Sequence, residues 1–140
     1  MEFKKFEGIF VLRLDSGEEI VQSLLDFCMQ QKIFAGTIFG IGSTQSATLA
    51  FFDEQSKKYD LKTFLGMHEI AALSGNISLK DDKAYVHCHI TLGDKKFNAF
   101  AGRLKSAIVG PTCEITIFEV KGKVLRKHSE KTGLNLYSFD

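Results

Sequence analysis

Ala84-Tyr-Val-His-Cys-His-Ile-Thr-Leu92 alternates strictly, and that alternation decides the fold. Ala84, Val86, Cys88, Ile90 and Leu92 fall on one side of an extended chain, and Tyr85, His87, His89 and Thr91 on the other. One side is apolar and suited to a core. The other carries two imidazoles two residues apart, both able to reach one ion, ligand or partner group. Short polar segments, Lys80-Asp-Asp-Lys83 before and Gly93-Asp-Lys95 after, turn the chain at both ends. The flanking segments are therefore expected to return antiparallel beside this strand.

Working outward, the same period of two recurs. Strands are expected at Phe34–Gly40, Gln45–Phe52, Lys57–Phe64, Glu69–Leu79, Phe97–Leu104 and Thr112–Val120, with glycines 36, 40 and 42 marking a bend or bulge. Phe6–Leu14 reads as a further, mostly buried strand. One segment departs from the pattern. Ile20, Val21, Leu24, Leu25 and Cys28 stand at helical spacing behind Ser16-Gly-Glu-Glu19, which predicts a helix over 17–31 with Ser16 as N-cap and Glu19 in a capping box. Strands joined by short turns around one helix define an α+β domain, a twisted antiparallel sheet packed on one main helix. A single domain spans residues 1–140, with a charged tail over about 121–140.

The 140 residues suffice for one core, and 44% hydrophobic with 25% charged side chains matches a soluble globular chain. Thirteen Phe and no Trp point to a phenylalanine-rich interior. No apolar run is long enough to span a bilayer, and the first residues lack the layout of a signal peptide, so a cytoplasmic protein is expected. The net charge of +1, from 18 basic and 17 acidic side chains, offers little phosphate neutralisation and argues against non-specific nucleic-acid binding. Lys121-Gly-Lys-Val-Leu-Arg-Lys-His128 is the densest basic stretch and reads as a solvated tail. Cys28, Cys88 and Cys113 are widely spaced among apolar neighbours, as small buried hydrophobes are.

Several chemistries are excluded by spacing. Phe39-Gly-Ile-Gly-Ser43 has neither the dinucleotide fingerprint nor a Walker lysine, and no Gly-x-Ser-x-Gly elbow occurs. Cys88 lies between the histidines in sequence but on the opposite side of the strand, so a Cys–His dyad is excluded too. What remains is the His-x-His pair. Residues 101–103 of the returning strand are expected opposite His87, which brings in Arg103, and Glu114 of the last strand is expected across from Arg103. Three readings are open: a structural cluster with an Arg103–Glu114 pair; an anion site on Arg103 and the imidazoles; and a metal site completed by Glu114, His68 or a neighbouring subunit. His68 and His128 are solitary, and His128 belongs to the charged tail.

Several pieces in order resemble the plant and prokaryote conserved (PPC) domain, also called DUF296. They are Gly17-Glu-Glu-Ile20, Ala35-Gly-Thr-Ile-Phe-Gly-Ile-Gly42, Glu69-Ile-Ala-Ala-Leu-Ser-Gly-Asn-Ile77, His87-Cys-His89, Ala101-Gly-Arg-Leu104, Cys113-Glu-Ile-Thr-Ile117 and Thr132-Gly-Leu134. The resemblance implies an α+β fold assembled as a homotrimer. In plants the domain accompanies AT-hook nuclear proteins, in which the hook contacts DNA and the domain mediates self-association; this chain carries no AT-hook. Some prokaryotic relatives hold zinc on the His-x-His pair and a third histidine in a Gly-Gly-His-Leu motif. His87 and His89 match the pair, and Arg103 stands at the third position. Gly66-Met-His-Glu-Ile-Ala71 is similar to a plant partner-binding motif and retains Gly66, Glu69 and Ile70. The expectation is a non-enzymatic assembly and binding domain, with a protein partner or small anion, and with a DNA-associated role implied by the resemblance. The alternative is a metal- or anion-binding protein or enzyme with its site at His87, His89, Arg103 and Glu114.

Overall fold

The computed structural model describes residues 1–139. Its elements, in chain order, are β1 (Glu2–Phe6), β2 (Ile9–Asp15), α1 (Ile20–Gln31), β3 (Gly36–Asp53), β4 (Lys58–Lys80), β5 (Lys83–Gly93), β6 (Ala99–Glu119), β7 (Leu125–Ser129) and β8 (Leu134–Ser138). The alternating stretch is β5 as read: Ala84, Cys88, Ile90 and Leu92 are buried, and the histidine side faces away from them. Lys80 pairs with Lys83, leaving Asp81 and Asp82 as a two-residue hairpin loop. Both have positive φ, 50° and 58°, as a type I′ turn requires.

Three expected pairs of strands are each one long strand. The segments 34–40 and 45–52 fuse in β3, 57–64 and 69–79 in β4, and 97–104 and 112–120 in β6. The glycines and polar residues between them bend the chain instead of ending it, with register shifts at Gly40/Gly42 and Thr44/Ser46. At Gly42 φ is 154°, and an added Cβ would lie 2.4 Å from the Thr112 carbonyl oxygen. The buried Thr44 hydroxyl lies 2.6 Å from the Ser46 carbonyl oxygen and 2.7 Å from that of Ile108, filling in where the ladder is interrupted. Conversely, the single strand expected over Phe6–Leu14 is a hairpin, β1–β2, turned at Gly8 with φ 69°.

Bending lets the sheet close on itself. β3 pairs with β4 and β6, and β5 also pairs with β4 and β6, so these four strands form a circuit of antiparallel ladders. β2 adds to the far half of β6, and β1 to β2. The sheet is mixed, not wholly antiparallel, because Leu79 of β4 meets Leu125 of β7 in parallel. The expected tail is thus a hairpin, β7–β8, docked on the edge of β4. α1 packs Ile20, Leu24, Phe27 and Cys28 into the core, with Phe27 edge-on to Phe10 at 5.4 Å. The helix begins later than its capping box predicts. Glu19, not Ser16, is the N-cap, because its carboxylate accepts from the Gln22 amide at 2.6 Å and from the Ala107 amide of β6 at 2.8 Å. All three cysteines are free and buried, as expected. Among the described residues no helix is long and apolar enough to cross a membrane.

Candidate functional site

Residues paired across neighbouring strands share a face, and one such row defines the outer surface. Val11 of β2 faces Thr116 of β6, which faces Phe39 of β3, which faces Ser74 of β4. Ser74 faces His89 of β5, and His89 faces Arg103 at the other end of β6. The row begins apolar and ends at an imidazole and a guanidinium. His87 lies beside His89 with ring centroids 5.3 Å apart and faces Asn76. Arg103 therefore stands opposite His89, two residues from the expected partner His87.

Two guanidiniums organise the polar end. Arg103 donates to the Tyr59 hydroxyl and, at 2.9 Å, to the Tyr85 hydroxyl. Arg126 reaches in from β7 and donates to Ser78 Oγ at 2.8 Å, Asn76 Oδ1 at 2.7 Å and the Asn135 carbonyl at 2.6 Å. Its guanidinium also lies between the Tyr85 and Tyr137 rings, 4.8 Å and 4.4 Å from their centroids. Among the described residues, no carboxylate pairs with either arginine. The side chains line a half-open cavity of about 540 Å³ between β3, β4, β5, β6 and the β7–β8 hairpin.

The charges act on their neighbours. Burial, then the positive charges of Arg103 and Arg126 and the adjacent His89, push His87 down to about 4, so it is neutral at physiological pH. For Arg103, burial works against the charge, but the Tyr85 and Tyr59 hydroxyls outweigh it and raise its pKa. Burial would likewise raise Tyr85, yet the Asn135 hydrogen bond and the two guanidiniums bring it below the usual phenol range. Fixed cations, neutral hydrogen-bonding groups and no acid make a surface that accepts negative charge.

Other expected site residues lie elsewhere. Glu114 does not meet Arg103: it pairs with Arg13 of β2 and Ile41 of β3. Both expected strands are one strand, so Arg103 and Glu114 lie along β6, eleven residues apart. Their ion pair is overturned. His68 stacks on Phe64 and Phe100 and bonds the Gly66 carbonyl at 3.0 Å. Gly66 and Glu69 are exposed, whereas Ile70 is 2% exposed and belongs to the core, not to a contact edge. His128 lies 3.5 Å from Glu130 on the hairpin. The reading from sequence missed Tyr59, Asn76, Ser78 and Arg126. Tyr85 carried a signal, since alternation already placed it with the histidines.

A bent, mixed sheet with one helix and a polar cluster on its outer face defines an α+β domain. The chain belongs to the Plants and Prokaryotes Conserved (PCC) domain family, whose model matches residues 1–121. The β7–β8 hairpin, with Arg126, lies beyond the matched residues. The fold closely follows a candidate DNA-binding protein from Bacteroides thetaiotaomicron, with 37% identity, a TM-score of 0.96, and 99% of this chain and 96% of that one covered. A metal-containing protein from Archaeoglobus fulgidus is 35% identical with a TM-score of 0.89, covering 99% of this chain and 97% of that one. Among curated proteins, the bifunctional protein GlmU of Synechococcus sp. (strain JA-3-3Ab) is 35% identical over 111 residues, 78% of this chain; the chain spans only 17% of that protein's length.

The residues present do not fit a three-histidine metal centre. Among the described residues no three His, Cys, Asp or Glu side chains converge. At the third position, Arg103 offers no lone pair and places a permanent positive charge where a dication would sit.

Proposed function

We propose that the chain is a non-enzymatic assembly and binding domain that holds a small anion at Arg103 and self-associates, as a homotrimer, through the apolar part of its outer face. The observation that carries the anion reading is Arg103 opposite His89, fixed by two tyrosine hydroxyls and, among the described residues, paired with no carboxylate. Five guanidinium N–H groups, two of them committed to phenols, leave donors for a carboxylate or phosphate oxygen. Isothermal titration of acetate, benzoate and inorganic phosphate into the wild type and Arg103→Met tests it. Saturable binding by the wild type that weakens at least about tenfold in the variant supports the reading; equal binding by both proteins, or none by either, overturns it.

The likeness to the Bacteroides protein motivates a second reading, a DNA-associated role. It requires salt-sensitive binding to duplex DNA. The net charge of +1 weighs against it, and absence of a mobility shift at low ionic strength would remove it.

A further inference from the structure

The cavity beside Arg103 is charged at one end and apolar over much of the rest. Ala50 and Phe52 of β3 form one wall, and Leu134 and Leu136 of the C-terminal hairpin form another. Arg126 also borders the space, but three of its five N–H groups already bond Ser78, Asn76 and the Asn135 carbonyl. Arg103, with two of its five N–H groups committed, has more donors to spare, and no lysine lines the cavity. One planar guanidinium matches one carboxylate through paired N–H···O bonds. A cavity of about 540 Å³ has room for more than a bare anion.

We propose that the ligand is an organic monocarboxylate bearing a compact apolar or aromatic group, with its carboxylate on Arg103 and its apolar part between Phe52 and the Leu134–Leu136 side of the hairpin. This rests on the anion reading above and narrows it. The hairpin lies outside the residues 1–121 that match the family model.

The test uses the full chain and four probes: benzoate, acetate, inorganic phosphate and the neutral analogue benzamide, each titrated calorimetrically. The expected result is benzoate binding at least about tenfold tighter than each of the other three. Leu134→Ser should weaken benzoate about threefold or more and leave acetate unchanged, because it removes apolar wall without touching Arg103. The wild-type comparison stands whether or not the variant folds. Acetate or phosphate binding as tightly as benzoate would overturn this inference and leave the anion reading intact. Benzamide matching benzoate, or no binding by any probe, would overturn both.

Discussion

Arg103 decides the chemistry of the outer face. With His87 and His89 beside it, a single exchange replaces the fixed cation of the cluster with a third imidazole. Arg103→His is therefore expected to acquire about one zinc per chain, measured by elemental analysis of protein purified without added metal or chelator, while the wild type does not. Stoichiometric zinc in the wild type would show that Arg103 does not abolish the site. His87 gives a pH signature. Its folded pKa is about 4 against an ordinary 6.5, so the unfolded chain takes up a proton first as pH falls. The stabilisation is complete above 6.5, declines as pH drops from 6.5 towards 4, and levels off below that. The slope stays under about 1.4 kcal/mol per pH unit because only one proton is linked. Urea midpoints at about pH 7 and about pH 5 should differ more for the wild type than for His87→Gln; parallel changes would refute the assignment. At this scale alternation made His87, His89 and Tyr85 legible as one face. Arg126 was not legible: its sequence neighbours are a basic run, and only the docking of the hairpin turns one of those cations inward.

Among the elements, the start of α1 shows how tertiary contacts override a local signature. Ser16 and Glu19 have capping-box spacing, yet the Glu19 carboxylate is drawn to Ala107 of β6 as well as to Gln22. Glu19→Ala should cost about 1–2 kcal/mol by losing the cap and orphaning the Ala107 amide. Ser16→Ala should stay within about 0.5 kcal/mol, and equal losses in chemical denaturation would contradict the assignment. Gly75 marks another constraint, on the ladder beneath the site: a Cβ there would lie 2.4 Å from the His87 carbonyl oxygen and 2.6 Å from Cys88 Sγ. Gly75→Ala is expected to cost about 1–3 kcal/mol as β4 and β5 are forced apart, read from the urea midpoint. Element type was legible throughout, because period two survives bending. Element length was not. Glycine ends a strand or bends it depending on whether partners exist on both sides, and those partners, β4 and β6 for β3, lie far away in sequence.

Across the whole molecule, the apolar half of the outer face is the surface on which the proposed self-association rests. Phe39 is 54% exposed and Ile41 60%, with Val11 and Phe118 on the adjoining strands. Side chains of this kind, clustered on one face, commonly mark a protein-contact surface. Sedimentation velocity of the wild type is expected to give a trimer, and the Phe39→Glu, Ile41→Glu double variant a monomer; a monomeric wild type would refute it. The circuit of β3, β4, β5 and β6 also has a bearing on how the chain is made. β6 lies between β2 and β3, so Ile9 finds its partner only at Phe118. A nascent chain emerging from the ribosome carries β2 with an unpaired edge until nearly the whole domain has been synthesised. Closure of such distant pairings is slow and leaves strand edges exposed to other chains. Chains stalled before about residue 112, where the segment of β6 that pairs with β2 begins, should therefore be protease-sensitive and prone to aggregate.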